Sequence, residues 1–150
     1  MSGSFEGDLI RPLGLLTLYF GYAEFEVDAL IDALEKWGLI GASPKSAPLG
    51  QRLTTARDLL NRQQIVEATQ VISIIDEFRH LIELRNVLVH SCVLAGGRVI
   101  PSDKSQGTLR VTPEQLTKLA GDIFTWKEKL SAARQRQLMP ALQRKSIDGT

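Results

Sequence analysis

One stretch of the chain collects groups suited to handling a phosphate: Arg85, Asn86 and His90, within Glu83-Leu84-Arg85-Asn86-Val87-Leu88-Val89-His90-Ser91. Arginine keeps its charge and holds phosphate oxygens through paired N–H donors. Histidine exchanges a proton near neutral pH. Asparagine adds a neutral donor and acceptor. Arg79 and Ser91 flank the set as candidate substrate contacts.

The setting of Arg85 is unusual. Val71, Ile74, Ile75, Phe78, Leu81 and Ile82 recur as one helical stripe. Seven residues beyond Phe78 the stripe lands on Arg85, only about 20° away at ~100° per residue. A guanidinium there cannot shed its charge, and burying it unpaired would cost several kcal/mol. It must either meet a buried carboxylate or line a cavity that receives an anion. Glu24, Glu26 and Asp28 are the candidate carboxylates. His90 falls about 140° round the helix from Arg85. A frayed helix end near His90 would let it turn back toward the arginine.

Other chemistries find less support. His80 points away from the stripe and reads as a solvated surface residue. Cys92 is the single cysteine, so it forms no internal disulfide, which fits a reducing compartment. A Cys92–His90 nucleophile pair lacks a third, orienting group. Two histidines and one cysteine offer little to zinc, so no metal site is expected. Gly96-Gly97 lacks the spacing of a phosphate-binding loop. With 18 basic and 17 acidic residues the net charge is +1, so there is no global footprint for nucleic acid or an anionic membrane. The basic residues Arg134, Arg136, Arg144 and Lys145 read as a solvated helix end or an accessory RNA contact.

The elements that must position this set are helices. From Pro12 to Trp37, Leu16, Phe20, Ala23, Val27, Leu30, Leu34 and Trp37 share one face. Leu15, Leu18, Tyr19, Tyr22 and Phe25 lie off that face, which suggests a second partner. Gly14 and Gly21 suit close approach of another backbone, or a helix that starts late or bends. After a loop over Gly41–Pro48, Leu49, Leu53, Ala56 and Leu60 mark a second helix. A third runs from near Gln63 to about His90, with no Gly or Pro at its join to the second. Residues 91–111 read as a small hairpin or long loop, with Val93-Leu94 facing Val99-Ile100 across Gly96-Gly97. Thr112-Pro113-Glu114-Gln115 is a helix start with a capping box. Leu116, Leu119, Ile123, Trp126, Leu130 and Ala133 continue it to an expected end near Leu138, before Pro140.

The expected fold is therefore all-α, an up-and-down bundle of four main helices with a short hairpin or loop insertion before the last. Residues 1–10 and 139–150 are expected to be flexible tails around a domain over 11–138. At 150 residues the chain can build a real core, so no cofactor is needed to hold it. No signal peptide is legible and the apolar stretch Leu13–Ala23 is too short to span a bilayer, so the expected location is cytoplasmic.

Arg85-Asn86-x-x-x-His90 resembles the R-x(4–6)-H motif of the HEPN superfamily (higher eukaryotes and prokaryotes nucleotide-binding domains). The polar residue after the arginine and the placement at the end of a long helix are similar too. The resemblance covers the helix order over roughly residues 11–138. It implies a metal-independent endoribonuclease, with motifs from two subunits lining one cleft of a homodimer. His90 would activate the ribose 2′-hydroxyl or protonate the leaving oxygen, Arg85 would hold the scissile phosphate, and Asn86 would orient the pair. The products would be a 2′,3′-cyclic phosphate and a 5′-hydroxyl. A toxin or defence effector with an antitoxin or regulatory protein as partner is one implied setting. A non-catalytic module binding nucleotide, RNA or a protein is the other.

Overall fold

The computed structural model describes residues 4–36, 47–94 and 111–148, of which 93% are helical with no strands. The chain is an all-α helical bundle. Helix α1 spans Ser4–Lys36, α2 Leu49–Asn61, α3 Val66–Leu94, α4 Pro113–Ala133 and α5 Met139–Asp148. A single widened π turn, Arg134–Leu138, joins α4 to α5. The chain forms two compact units, one of Met1–Gly21 with His80–Phe124, the other of Tyr22–Arg79 with Thr125–Thr150.

The first unit packs the early part of α1, the end of α3 and the start of α4. Leu9, Leu16, Phe20, Leu88, Cys92, Leu116, Leu119 and Ile123 are buried in it. Its α4 starts where the capping box predicts. The backbone N–H of Thr112 donates to Gln115 Oε1 at 2.9 Å, and the Gln115 N–H donates to Thr112 Oγ1 at 3.1 Å. Two orphan donors of the first turn are thereby satisfied.

The second unit is built on the later part of α1, α2, the first half of α3 and the run from Thr125 to α5. Ala23, Val27, Leu30 and Leu34 bury the α1 stripe, and Val71, Ile74, Ile75 and Phe78 bury that of α3. Trp126 joins α4 to α3. Its indole N–H donates to the Ile74 carbonyl at 2.6 Å, and its ring stacks on Phe78 with centroids 3.9 Å apart. Glu26 is buried on α1 and accepts from Arg134 Nε at 2.7 Å. Arg52, also buried, donates to Asp28 at 2.6 Å, Glu24 at 3.1 Å and the Ala47 carbonyl at 2.9 Å.

Several boundaries differ from the sequence reading. Helix α1 begins at Ser4, eight residues before Pro12, which lies inside it. A proline there forfeits one N–H bond, and burial of Leu9 holds the turns before it. Helix α3 begins at Val66 rather than near Gln63. The α2–α3 join reverses direction at Gln64, whose φ of 54° is left-handed and usually left to glycine. Helix α3 also runs past His90 to Leu94. Val93 and Leu94 are thus helical backbone and not the first strand of a hairpin, while 95–110 lie outside the described residues. At the other end the helical rod does not stop before Pro140. In the π turn the Met139 N–H reaches back to the Arg134 carbonyl. That widening gives room where a proline ring would clash with the preceding turn. Helix α5 then buries Ala141 and Leu142, so residues 139–148 are not a frayed tail.

Two stability outcomes follow. Trp126→Ala removes a buried ring and leaves the space beside Phe78 empty, which should cost about 3–5 kcal/mol in chemical denaturation. Gln64→Val should cost about 1–2 kcal/mol because a branched side chain resists positive φ, whereas Gln64→Gly should be neutral or stabilising.

Candidate functional site

The last turns of α3 carry the phosphate-handling set, and all of it lies in the first unit except Arg79. Arg85 is half-buried on the packed flank of the helix. Its guanidinium lies over the Phe20 ring of α1, with the central carbon 4.3 Å from the centroid. Its Nη1 donates to Asn86 Oδ1 at 3.0 Å. Its Nε is buried and makes no hydrogen bond. Among the described residues no carboxylate pairs with it. The three acids that sequence offered are engaged elsewhere: Glu24 and Asp28 accept from Arg52, and Glu26 accepts from Arg134.

This arrangement holds the cation without neutralising it. Stacking on an aromatic face contributes about 0.5–2 kcal/mol. Asn86 supplies a neutral acceptor. Neither removes the positive charge, and a buried donor without a partner costs about 1–3 kcal/mol. The site is therefore poised for a group that brings negative charge and acceptor oxygens together.

His90 is exposed and sits in regular helix, since α3 continues one turn beyond it. The helix end does not fray there, so the expected turn back toward Arg85 does not occur. About 140° separates the two directions, and Asn86, about 100° from Arg85, lies between them. Asn86 is exposed. Ser91 is half-buried and falls about 120° to the other side of Arg85. Leu84 and Val87, both nearly half exposed, share that outer surface. Arg79 belongs to the second unit, where its Nη2 donates to Thr54 Oγ1 on α2 at 2.8 Å. His80 is exposed, as its direction from the stripe implies.

Cys92 is buried beneath this turn, and desolvation pushes its thiol up from the ordinary range. A thiol held protonated in apolar packing is a poor nucleophile at neutral pH. Among the described residues no cluster of three His, Cys, Asp or Glu side chains could hold a metal ion, and no helix is long and apolar enough to cross a membrane.

Phe20 is the residue that sequence reasoning missed. It reads as one more member of the α1 stripe, and it is buried as expected. Its second use, as the plate beneath a cation, depends on which residue of α3 lies opposite, and no local pattern reveals that. Comparison with protein-family models, curated proteins and solved structures finds no match.

One measurement tests the state of Cys92. Iodoacetamide should label the native chain far more slowly than the urea-unfolded chain at pH 8, because the folded thiol is both shielded and protonated. Equal rates would show the pocket around it to be open.

Proposed function

We propose that this protein is an endoribonuclease of HEPN type, cutting RNA through the ribose 2′-hydroxyl without a metal ion. One observation carries the reading: a half-buried arginine, stacked on Phe20, has an unsatisfied Nε and, among the described residues, no acid to balance it. A fold that served only stability would gain by replacing such a residue with an apolar one of similar volume. A ligand that supplies the missing negative charge accounts for its presence there.

In this reading Arg85 holds the scissile phosphate and stabilises the charge that builds on its oxygens as the 2′-oxygen attacks. The 2′-oxygen bonds to phosphorus, and the bond from phosphorus to the 5′-oxygen breaks. His90 takes the 2′-hydroxyl proton or gives a proton to the departing 5′-oxygen. The ends left behind are a 2′,3′-cyclic phosphate and a 5′-hydroxyl. DNA lacks the nucleophile and stays intact. Asn86 fixes the guanidinium through their hydrogen bond and leaves its amide free for substrate. Arg85 and His90 leave α3 in different directions, so one chain does not focus both on a single phosphate. A homodimer, with His90 of one copy serving the phosphate held by Arg85 of the other, closes that gap. An RNA-degrading toxin or defence effector, restrained by an antitoxin or regulatory protein and working in the cytoplasm, is the setting that fits such an activity.

The single arginine–ring–amide constellation also suits a module that binds nucleotide or RNA without cutting it. Cleavage decides between the two. Wild-type protein incubated with mixed RNAs in EDTA should yield cyclic-phosphate ends, and His90→Ala should lower the rate at least about 100-fold, the usual contribution of general acid–base catalysis. Arg85→Met should abolish cleavage while leaving unfolding stability unchanged or raised. Stability lost on Arg85→Met would mean that the arginine serves the fold. An uncut substrate with intact binding would leave the binding module.

A further inference from the structure

The four basic residues near the C-terminus do not behave alike. Arg134 is spent on Glu26 at 2.7 Å. Lys145 donates to both the backbone carbonyl and Oε1 of Gln63, each at 2.9 Å. Arg144 approaches Glu67 at 3.6 Å, a loose pair. Arg136 is exposed and, among the described residues, has no partner. It stands in the π turn, beside Gln137.

Arg136 and Gln137 also line the wall of a trough within the second unit. Two adjoining hollows, about 570 and 400 Å3, share Gln70 and Ser73 of α3 with Arg136 and Gln137 of the π turn. The first hollow also takes in the Arg144–Glu67 pair. The second takes in Lys129 and Glu77, which pair at 2.9 Å. Each acid along the trough is thus balanced by its own base. The shared middle holds two carboxamides, one hydroxyl and one uncompensated guanidinium.

We propose that this trough binds the phosphodiester backbone of a single-stranded nucleic acid, one phosphate lying at Arg136 with Gln70, Ser73 and Gln137 as neutral donors. A phosphodiester carries one negative charge spread over two non-bridging oxygens, and the middle of the trough supplies one positive charge with N–H and O–H donors around it. The ester and sugar oxygens on either side of that negative charge give the remaining donors further acceptors, which an isolated carboxylate does not. The two hollows adjoin through their shared wall, so a strand can pass from one to the other, and the ion pairs in each present no net charge to its neighbouring phosphates. π turns are found disproportionately at functional sites, and this one presents both Arg136 and Gln137. The site goes beyond the cleavage reading, because a strand can be held here whether or not Arg85 and His90 cut it.

The test uses the full chain carrying His90→Ala, so that RNA survives the measurement. Short polyuridine RNA, the matching polythymidine DNA and inorganic phosphate are each titrated while the side-chain amide resonances of Gln70 and Gln137 are followed. Both strands should shift these resonances, and inorganic phosphate should do so only at far higher concentration. Arg136→Gln should abolish the shifts, weaken strand binding and flatten the slope of log affinity against log salt by about 0.7, the value for one lost phosphate contact on a single strand. Unmoved Gln70 and Gln137 resonances overturn the proposal. So does an Arg136→Gln chain with unchanged affinity and salt slope, and so does inorganic phosphate binding as tightly as a strand, which would make this a free-anion site. The cleavage assay with wild-type chain reads Arg85 and His90 separately, so either idea can fail alone.

Discussion

A guanidinium does not surrender its proton, so every arginine drawn onto a packed surface must be answered by something. Three arginines here are answered in three ways. Arg52 is buried against two carboxylates and a carbonyl, a fully compensated arrangement. Arg134 is held by one buried acid, Glu26. Among the described residues, Arg85 receives an aromatic face and a neighbouring amide and no carboxylate. The first two balance their charge within the molecule. The third leaves a positive charge and an open donor, and that imbalance is what the proposed chemistry rests on.

The α1 acids Glu24, Glu26 and Asp28 are taken by other arginines. Glu24 and Asp28 leave α1 one turn apart, and Arg52 on α2 spans both. Glu26 lies between them in sequence but about 200° from each around the helix, so it meets the π turn instead. One helix segment thus supplies acids to two different neighbours. Among the described residues, the second unit satisfies its buried charges, while the first leaves the half-buried Arg85 unmatched.

Continuity of the helices has consequences for function. Because α3 continues to Leu94, His90 is fixed on an outward face instead of being free to fold back. Because the rod from α4 passes through a π turn instead of ending at Pro140, Arg136 and Gln137 face α3 across a trough. In both places a proline- or end-based reading anticipates a break. Packing of Leu138, Ala141 and Leu142 against the second unit outweighs the local cost at Pro140.

Helix periodicity and capping were legible without coordinates. The α4 stripe is buried throughout and the α1 stripe is buried from Leu16 to Leu34, because burial repeats with the 3.6-residue turn that the chain itself carries, whereas Leu81 and Ile82 of the α3 stripe are half-exposed and Trp37 lies outside the described residues. The Thr112–Gln115 capping box was legible for the same local reason. So was the anomaly at Arg85, a charge at a position the period assigns to the packed side. What answers that charge was not legible. Whether Arg85 meets Glu24, Asp28 or Phe20, and which basic residue near the C-terminus stays unpaired, depends on groups far apart in the chain being brought side by side. Spacing along one helix sets a direction in which a side chain leaves. Only the packed structure sets what it finds there.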